Sequence, residues 1–187
     1  MKEFNSYLSV IKIITGKRDI GKTSFCARLS RELQNNNIQV KGVLSPGIFS
    51  DGKKVKIWVE DIYSATRKML AIFDPGWDPS YPKREWRLRE DAIAWGNEIL
   101  GKSVPVEVLI IDELGFLEFE KKSGWFSAFH VLDERKFQFA FVVVIPQFVK
   151  HALTQFGNVE IIDMDYVSDI DLLIDTYFKL IRTELAK

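Results

Sequence analysis

Gly16-Lys17-Arg18-Asp19-Ile20-Gly21-Lys22-Thr23 is where residue type and spacing speak most directly of chemistry. It fits G-x-x-x-x-G-K-[ST], the pattern of a phosphate-binding P-loop. Glycines let the backbone curl until successive N–H groups converge on an anion. Lys22 brings a compact positive charge to β- and γ-phosphate oxygens, and the Thr23 hydroxyl suits a Mg²⁺ ligand. The expected phosphate-binding set is Gly16, Lys17, Arg18, Asp19, Ile20, Gly21, Lys22, Thr23 and Ser24. The helix that follows adds the positive end of its dipole. Asp19 stands where many such loops use glycine, and Asp tolerates a left-handed backbone. A triphosphate repels a carboxylate, so Asp19 is expected to point away from it. Lys17 and Arg18 either reach the phosphates or remain a solvated pair of charges.

A second informative stretch is Val106-Glu107-Val108-Leu109-Ile110-Ile111-Asp112-Glu113. Apolar residues running into an acidic pair describe a central parallel strand whose C-terminal end meets a ligand crevice. There, Asp112 is expected to hold Mg²⁺ from its outer coordination shell and Glu113 to polarise the attacking water. A third stretch, Asp74 to Pro82, carries Trp77 and Tyr81 between prolines that exclude regular structure. Either its rings stack on a nucleobase while Arg84, Arg87 or Arg89 reach phosphates, or they cover the sheet edge.

The flanking elements fit these assignments. Val10 to Ile14 reads as a buried strand before the loop, and Phe25, Leu29 and Leu33 recur at helical spacing after it. Residues 39–44 read as a strand ending at Ser45-Pro46-Gly47. Asp51-Gly52 marks a hairpin turn, and Val55, Ile57 and Val59 alternate with polar residues as in a half-covered strand. Residues 69–73 form the next strand, which makes the sheet mixed. Helices are expected over 83–101, with Trp86 on the apolar side, and from Ser123 or Gly124 through Phe137. Strands are expected over 139–145 and 160–162. Ser168 is expected to open the last helix, with Asp171 completing an approximate capping box. Ile170, Leu173, Ile174, Tyr177 and Ile181 form its buried stripe.

Composition narrows the function classes. A chain of 187 residues with 47% hydrophobic content is expected to form one domain spanning 1–187. Lys plus Arg and Asp plus Glu balance at 26 each, so no basic footprint for nucleic acid is present. The apolar runs are too short to span a bilayer, and residues 1–5 lack a signal-peptide core. Cys26 is the one cysteine, which excludes an internal disulfide and suits the cytoplasm. It reads as a packed side chain rather than a reactive thiol. His130 and His151 lack metal-ligand spacing.

With these motifs in place, the chain resembles the thermophilic-type nucleoside-triphosphatase family, P-loop NTPases that include cancer-related nucleoside-triphosphatase. The resemblance rests on Gly16 to Thr23, on Val40-Lys41-Gly42-Val43-Leu44-Ser45-Pro46 with its Asp51-Gly52 hairpin, and on Ile110 to Glu118. The last is similar to the family's D-E-[IL]-G-x-[ML]-E signature and is the most specific. The resemblance implies a three-layer α/β/α P-loop NTPase fold, with a mostly parallel central sheet and inserted antiparallel hairpin strands. It implies slow, Mg²⁺-dependent hydrolysis of ATP or GTP with loose base preference. Lys22 and Thr23 would serve phosphate and metal, Asp112 the metal and Glu113 the water, with Glu118 a second catalytic acid. Lys17-Arg18-Asp19 departs from the family's usual Gly- and Pro-rich loop, and the 74–82 loop is more aromatic than expected. The alternatives are a nucleoside or small-metabolite kinase, with the aromatic loop as acceptor site, and a nucleotide-binding adaptor with negligible turnover. No Asn-Lys-x-Asp or Leu-Ser-Gly-Gly-Gln-like motif is present, which disfavours a common GTP switch and a transporter ATPase. A protein partner is left open.

Overall fold

The computed structural model describes residues 9–75 and 85–187. β1 (Val10–Thr15) enters the glycine loop, and α1 (Lys22–Asn35) leaves it. β2 (Val40–Leu44) leads into the hairpin of β3 (Gly47–Ser50) and β4 (Lys53–Asp61). Asp51 and Gly52 both take positive φ in its two-residue turn, as the Asp-Gly pair requires. β5 (Arg67–Phe73), β6 (Trp86–Leu88) and α2 (Glu90–Gly101) follow, then β7 (Val106–Leu114) and the short α3 (Phe116–Phe119). α4 (Ser127–Glu134), β8 (Phe137–Val144), α5 (Val149–Phe156), β9 (Val159–Asp163) and α6 (Ile170–Leu185) complete the order.

Among the described residues, nine strands form one mixed sheet in the order β6-β5-β4-β2-β7-β8-β1-β9, with β3 paired to β4. Of these, β4 and β6 run against the rest, so the strands are mostly parallel. The near-continuous apolar runs of β1, β7 and β8 are what strands covered on both faces require. On one face Phe25, Leu29 and Leu33 of α1 and Ile174 and Ile181 of α6 pack on Ile14, Val108, Ile110 and Phe141. On the other, α2, α4 and α5 place Ala92, Leu100, Val131, Leu132 and Phe156 against Ile13, Leu109, Ile111 and Val142. The result is a three-layer α/β/α arrangement. Burying a side chain the size of Phe25 or Leu29 contributes about 2–3 kcal/mol, so α1 is anchored firmly enough to hold the loop that precedes it. Gly42 explains the glycine inside β2. A Cβ there would lie 1.9 Å from the Ile110 carbonyl oxygen of the neighbouring strand.

The structure corrects three sequence expectations and adds one helix that the sequence reading left out. Trp86 lies on edge strand β6, where its ring meets Phe73 at 5.6 Å, and helix α2 begins only at Glu90. Phe137 belongs to β8 rather than to the preceding helix, because Arg135 adopts a left-handed φ of 53° and ends α4. Pro146 ends β8 but also opens a 3-10 turn that continues into α5, a helix unmarked by any capping residue. Finally, Asp169 caps α6 in place of Ser168, its carboxylate accepting from the amides of Asp171 (2.8 Å) and Leu172 (3.0 Å).

Candidate nucleotide site

Parallel register brings the two informative stretches together. β8 lies between β1 and β7, with Ile14 level with Val143 and Ile111 level with Val142. The loop after β1 and the carboxylates at the end of β7 therefore emerge at the same C-terminal edge of the sheet.

The loop has the backbone of an anion nest. Gly16 (φ 129°), Asp19 (φ 60°) and Gly21 (φ 103°) all sit in the left-handed region. A Cβ on Gly16 would meet the Asp165 amide nitrogen at 3.2 Å, so this glycine also allows the turn after β9 to close on the loop. That closure is fastened by the Lys17 N–H, which donates to Asp165 Oδ1 at 3.1 Å. α1 has no side-chain N-cap and no acidic residue in its first turn, which leaves its leading N–H groups to a bound anion. Lys22 is buried, its ammonium donating to the carbonyls of Gly16 (2.8 Å) and Lys17 (2.6 Å). The cation is thus held inside the loop it serves.

Opposite stands Asp112, 1% exposed. Its Oδ1 accepts from the Thr23 hydroxyl at 3.3 Å and its Oδ2 from the Ser45 N–H at 3.0 Å. The Ser45 hydroxyl in turn donates to the Asp112 carbonyl. Burial pushes the Asp112 carboxyl above its ordinary range, opposed by the Ser45 N–H, the Thr23 hydroxyl and the charges of Lys22 and Lys54. The Asp112–Glu113 peptide is cis. Glu113 is exposed as a residue, yet protein packed around its carboxyl desolvates it, and Asp112 adds like-charge repulsion. Together they raise its pKa to about 7, against the pull of Lys22 and Lys54. An apolar cleft of about 240 Å³ beside it is lined by Ile57, Leu70, Leu88, Ile93 and Trp125.

Glu118 is differently placed. It is 5% exposed, and its carboxylate accepts from the backbone amides of Gly115 and Trp125, each at 2.8 Å. Burial raises its pKa, and those two N–H donors oppose the rise. Arg87 and Arg89 lie on and just after the edge strand β6, where Asp74 and Asp91 engage them. Trp77, Tyr81 and Arg84 fall outside the described residues. Cys26 is buried, and desolvation raises its thiol pKa, so it reads as packing. Ser45, Asp165 and Lys54 belong to the site without having been singled out from sequence. The Ser-Pro turn and the Asp-Gly hairpin were the signals near two of them; Asp165 had none.

A family model described as NTPase matches residues 12–167, which takes in every element described above except α6 and the first residues of β1. The chain belongs to this NTPase family. Nucleoside-triphosphatase THEP1 of Thermofilum pendens is 25% identical over 124 residues, covering 66% of this chain and 68% of that one. The solution structure of a human cancer-related nucleoside triphosphatase superposes with a TM-score of 0.68 at 17% identity, covering 94% of this chain and 98% of that one. The crystal structure of THEP1 from Aquifex aeolicus gives 0.67 at 14%, covering 92% and 99%. These two likenesses carry the fold. As an NTPase family member, the protein is a nucleoside-triphosphate phosphohydrolase. The larger cavity, about 800 Å³ between Gln34, Lys41, Tyr63, Trp95 and Lys102, opens at the opposite end of the sheet. It lies far from the loop and the carboxylates, whereas the smaller cleft reaches Ser45 and Glu113.

Proposed function

We propose that the enzyme binds Mg²⁺ with a nucleoside triphosphate and transfers the γ-phosphoryl group to water slowly and with little base preference. The observation that carries this reading is the facing pair Thr23 Oγ1 and Asp112 Oδ1, 3.3 Å apart beside the buried Lys22 ammonium. Hard oxygen donors from one or two side chains, completed by phosphates and water, suit Mg²⁺. When bound, the ion would neutralise charge on β- and γ-phosphate oxygens. Lys22 and the amides of residues 16–24 cradle those phosphates. Glu113 accepts a proton from water as its oxygen bonds to the γ-phosphorus, and the bond to the β–γ bridging oxygen breaks, releasing nucleoside diphosphate. A pKa near 7 leaves Glu113 basic enough to polarise water at neutral pH. Glu118 holds the turn after β7 in place, since backbone N–H groups already occupy both of its oxygens.

The nucleoside end follows from the phosphate end. Asp112 and Glu113 on β7 lie to one side of β1, so the γ-phosphate points that way and the base trails toward β9 on the other. There Tyr166, 88% exposed in the Met164–Tyr166 turn, offers a ring beside the loop. Every base has a π-face, so stacking accounts for loose base preference. Balanced charge argues against a nucleic-acid partner. No helix among the described residues is long and apolar enough to cross a membrane, and the buried thiol of Cys26 fits a cytoplasmic enzyme.

Phosphate release from ATP, GTP, CTP and UTP, with Mg²⁺ and with chelator, tests the reading. All four should be hydrolysed within about tenfold of one another, and chelation should abolish release. Release that survives both chelation and Glu113→Gln would remove Mg²⁺ and Glu113 from the mechanism.

A further inference from the structure

Lys54 Nζ and Asp19 Oδ1 are 2.6 Å apart, an ion pair that joins the start of β4 to the middle of the phosphate loop. We propose that Lys54 is the reaction's charge-neutralising cation, supplied from within the chain: it rests on Asp19 and moves to the β,γ-phosphate oxygens when a triphosphate fills the loop. This rests on the hydrolytic reading above and adds a residue to it.

Three independent observations converge on Lys54. The first is its guided path. The side chain runs over Gly47 of the paired strand, where an added Cβ would stand 2.7 Å from Lys54 Cε and 3.0 Å from Cδ. Its ammonium lies 5.5 Å from the centre of the Phe49 ring. Glycine below and an aromatic face beside it lead the stem toward the loop. Second, it stands near the reacting region. Lys54 packs over Gly47, two residues after Ser45, whose N–H donates to Asp112 Oδ2 at 3.0 Å. Arg87 and Arg89 are held at the far edge of the sheet. Third, the pair gives the acidic residue in the loop a role. Asp19 holds the Lys54 ammonium at the phosphate loop while no triphosphate is bound.

The pair is also built to let go. Asp19 is half-exposed and Lys54 about a third exposed, so solvent weakens the bond between them. A triphosphate carries several negative charges against the single one of Asp19, and four flexible carbons let the ammonium follow them. As the γ-phosphoryl separates, charge builds on the leaving β-phosphate and the equatorial oxygens, where a cation stabilises the transition state more than the ground state.

The test uses the full chain, with Lys54→Met, Lys54→Arg and Asp19→Asn. Readouts are steady-state phosphate release, ADP affinity, affinity for ADP with fluoroaluminate as a planar phosphoryl mimic, and thermal melting. Lys54→Met should lower kcat on the order of 100-fold and abolish the extra affinity conferred by fluoroaluminate. Its ADP affinity and melting temperature should stay near wild type. Lys54→Arg should recover most of the rate, and Asp19→Asn should lower KM severalfold because Lys54 no longer leaves a carboxylate. Wild-type kcat and wild-type fluoroaluminate affinity in Lys54→Met would overturn the proposal alone. So would a rate loss matched by an equal loss of ADP affinity or by a fall in melting temperature. A wild-type chain that releases no phosphate from any triphosphate would overturn the hydrolytic reading along with it.

Discussion

The end of β7 and the turn that follows it carry acidic residues five positions apart, yet the two regions treat them in opposite ways. Glu118 is sealed between two backbone amides, with Gly124 packed so close that a Cβ there would come within 2.0 Å of its Oε1. Glu113 lines the same apolar cleft as Glu118, but burial and the Asp112 charge raise its pKa to about 7 with no backbone N–H among the groups that act on it. A buried carboxylate with a backbone N–H on each oxygen suits a structural role. One that is desolvated without such partners is poised to accept a proton. On the proposed reading the same residue type serves both purposes, and the hydrogen bonds separate them.

Glu113→Gln makes the sharpest break in this contrast. It should lower kcat about 10³-fold, within the usual range for a lost general base, while the melting temperature stays unchanged. Gly124→Ala attacks the other side, because Gly124 has a φ of 63° and the added methyl displaces the Glu118 carboxylate. A loss of about 3 kcal/mol in denaturant unfolding is expected. Glu118→Gln should cost about 2 kcal/mol of stability, since an amide NH₂ now faces a backbone N–H. The folded fraction should retain kcat within about threefold. If it instead loses activity as Glu113→Gln does, Glu118 belongs to the chemistry and the contrast fails. Tyr166→Ala is the gentlest change. It should raise KM about fivefold for all four triphosphates alike, from about 1 kcal/mol of lost stacking, with kcat unaltered.

Much of this was legible along the chain because it depends on local rules. The strand–loop–helix around Lys22, the Asp-Gly hairpin and the acidic end of β7 each follow from a few neighbouring residues. What escaped depended on residues brought together from afar. Asp165 reaches the Lys17 amide from 148 positions away, and Lys54 meets Asp19 only because β2 hands the chain to an antiparallel hairpin beside the loop. Trp86 shows the same limit at an edge. Its periodicity suits a helix, yet pairing with Phe73 of the neighbouring strand decides the matter.

Sequence alone determined that this chain grips a triphosphate, since a glycine pattern, a lysine and a hydroxyl at set intervals dictate backbone geometry by themselves. It also placed Asp112 and Glu113 at a strand terminus. Only tertiary structure decided that Glu118 is held by two backbone N–H groups, that Lys54 rests on Asp19 and that the turn carrying Tyr166 closes on the loop through Asp165. Those depend on burial and on hydrogen bonds between distant segments, and no local pattern encodes them.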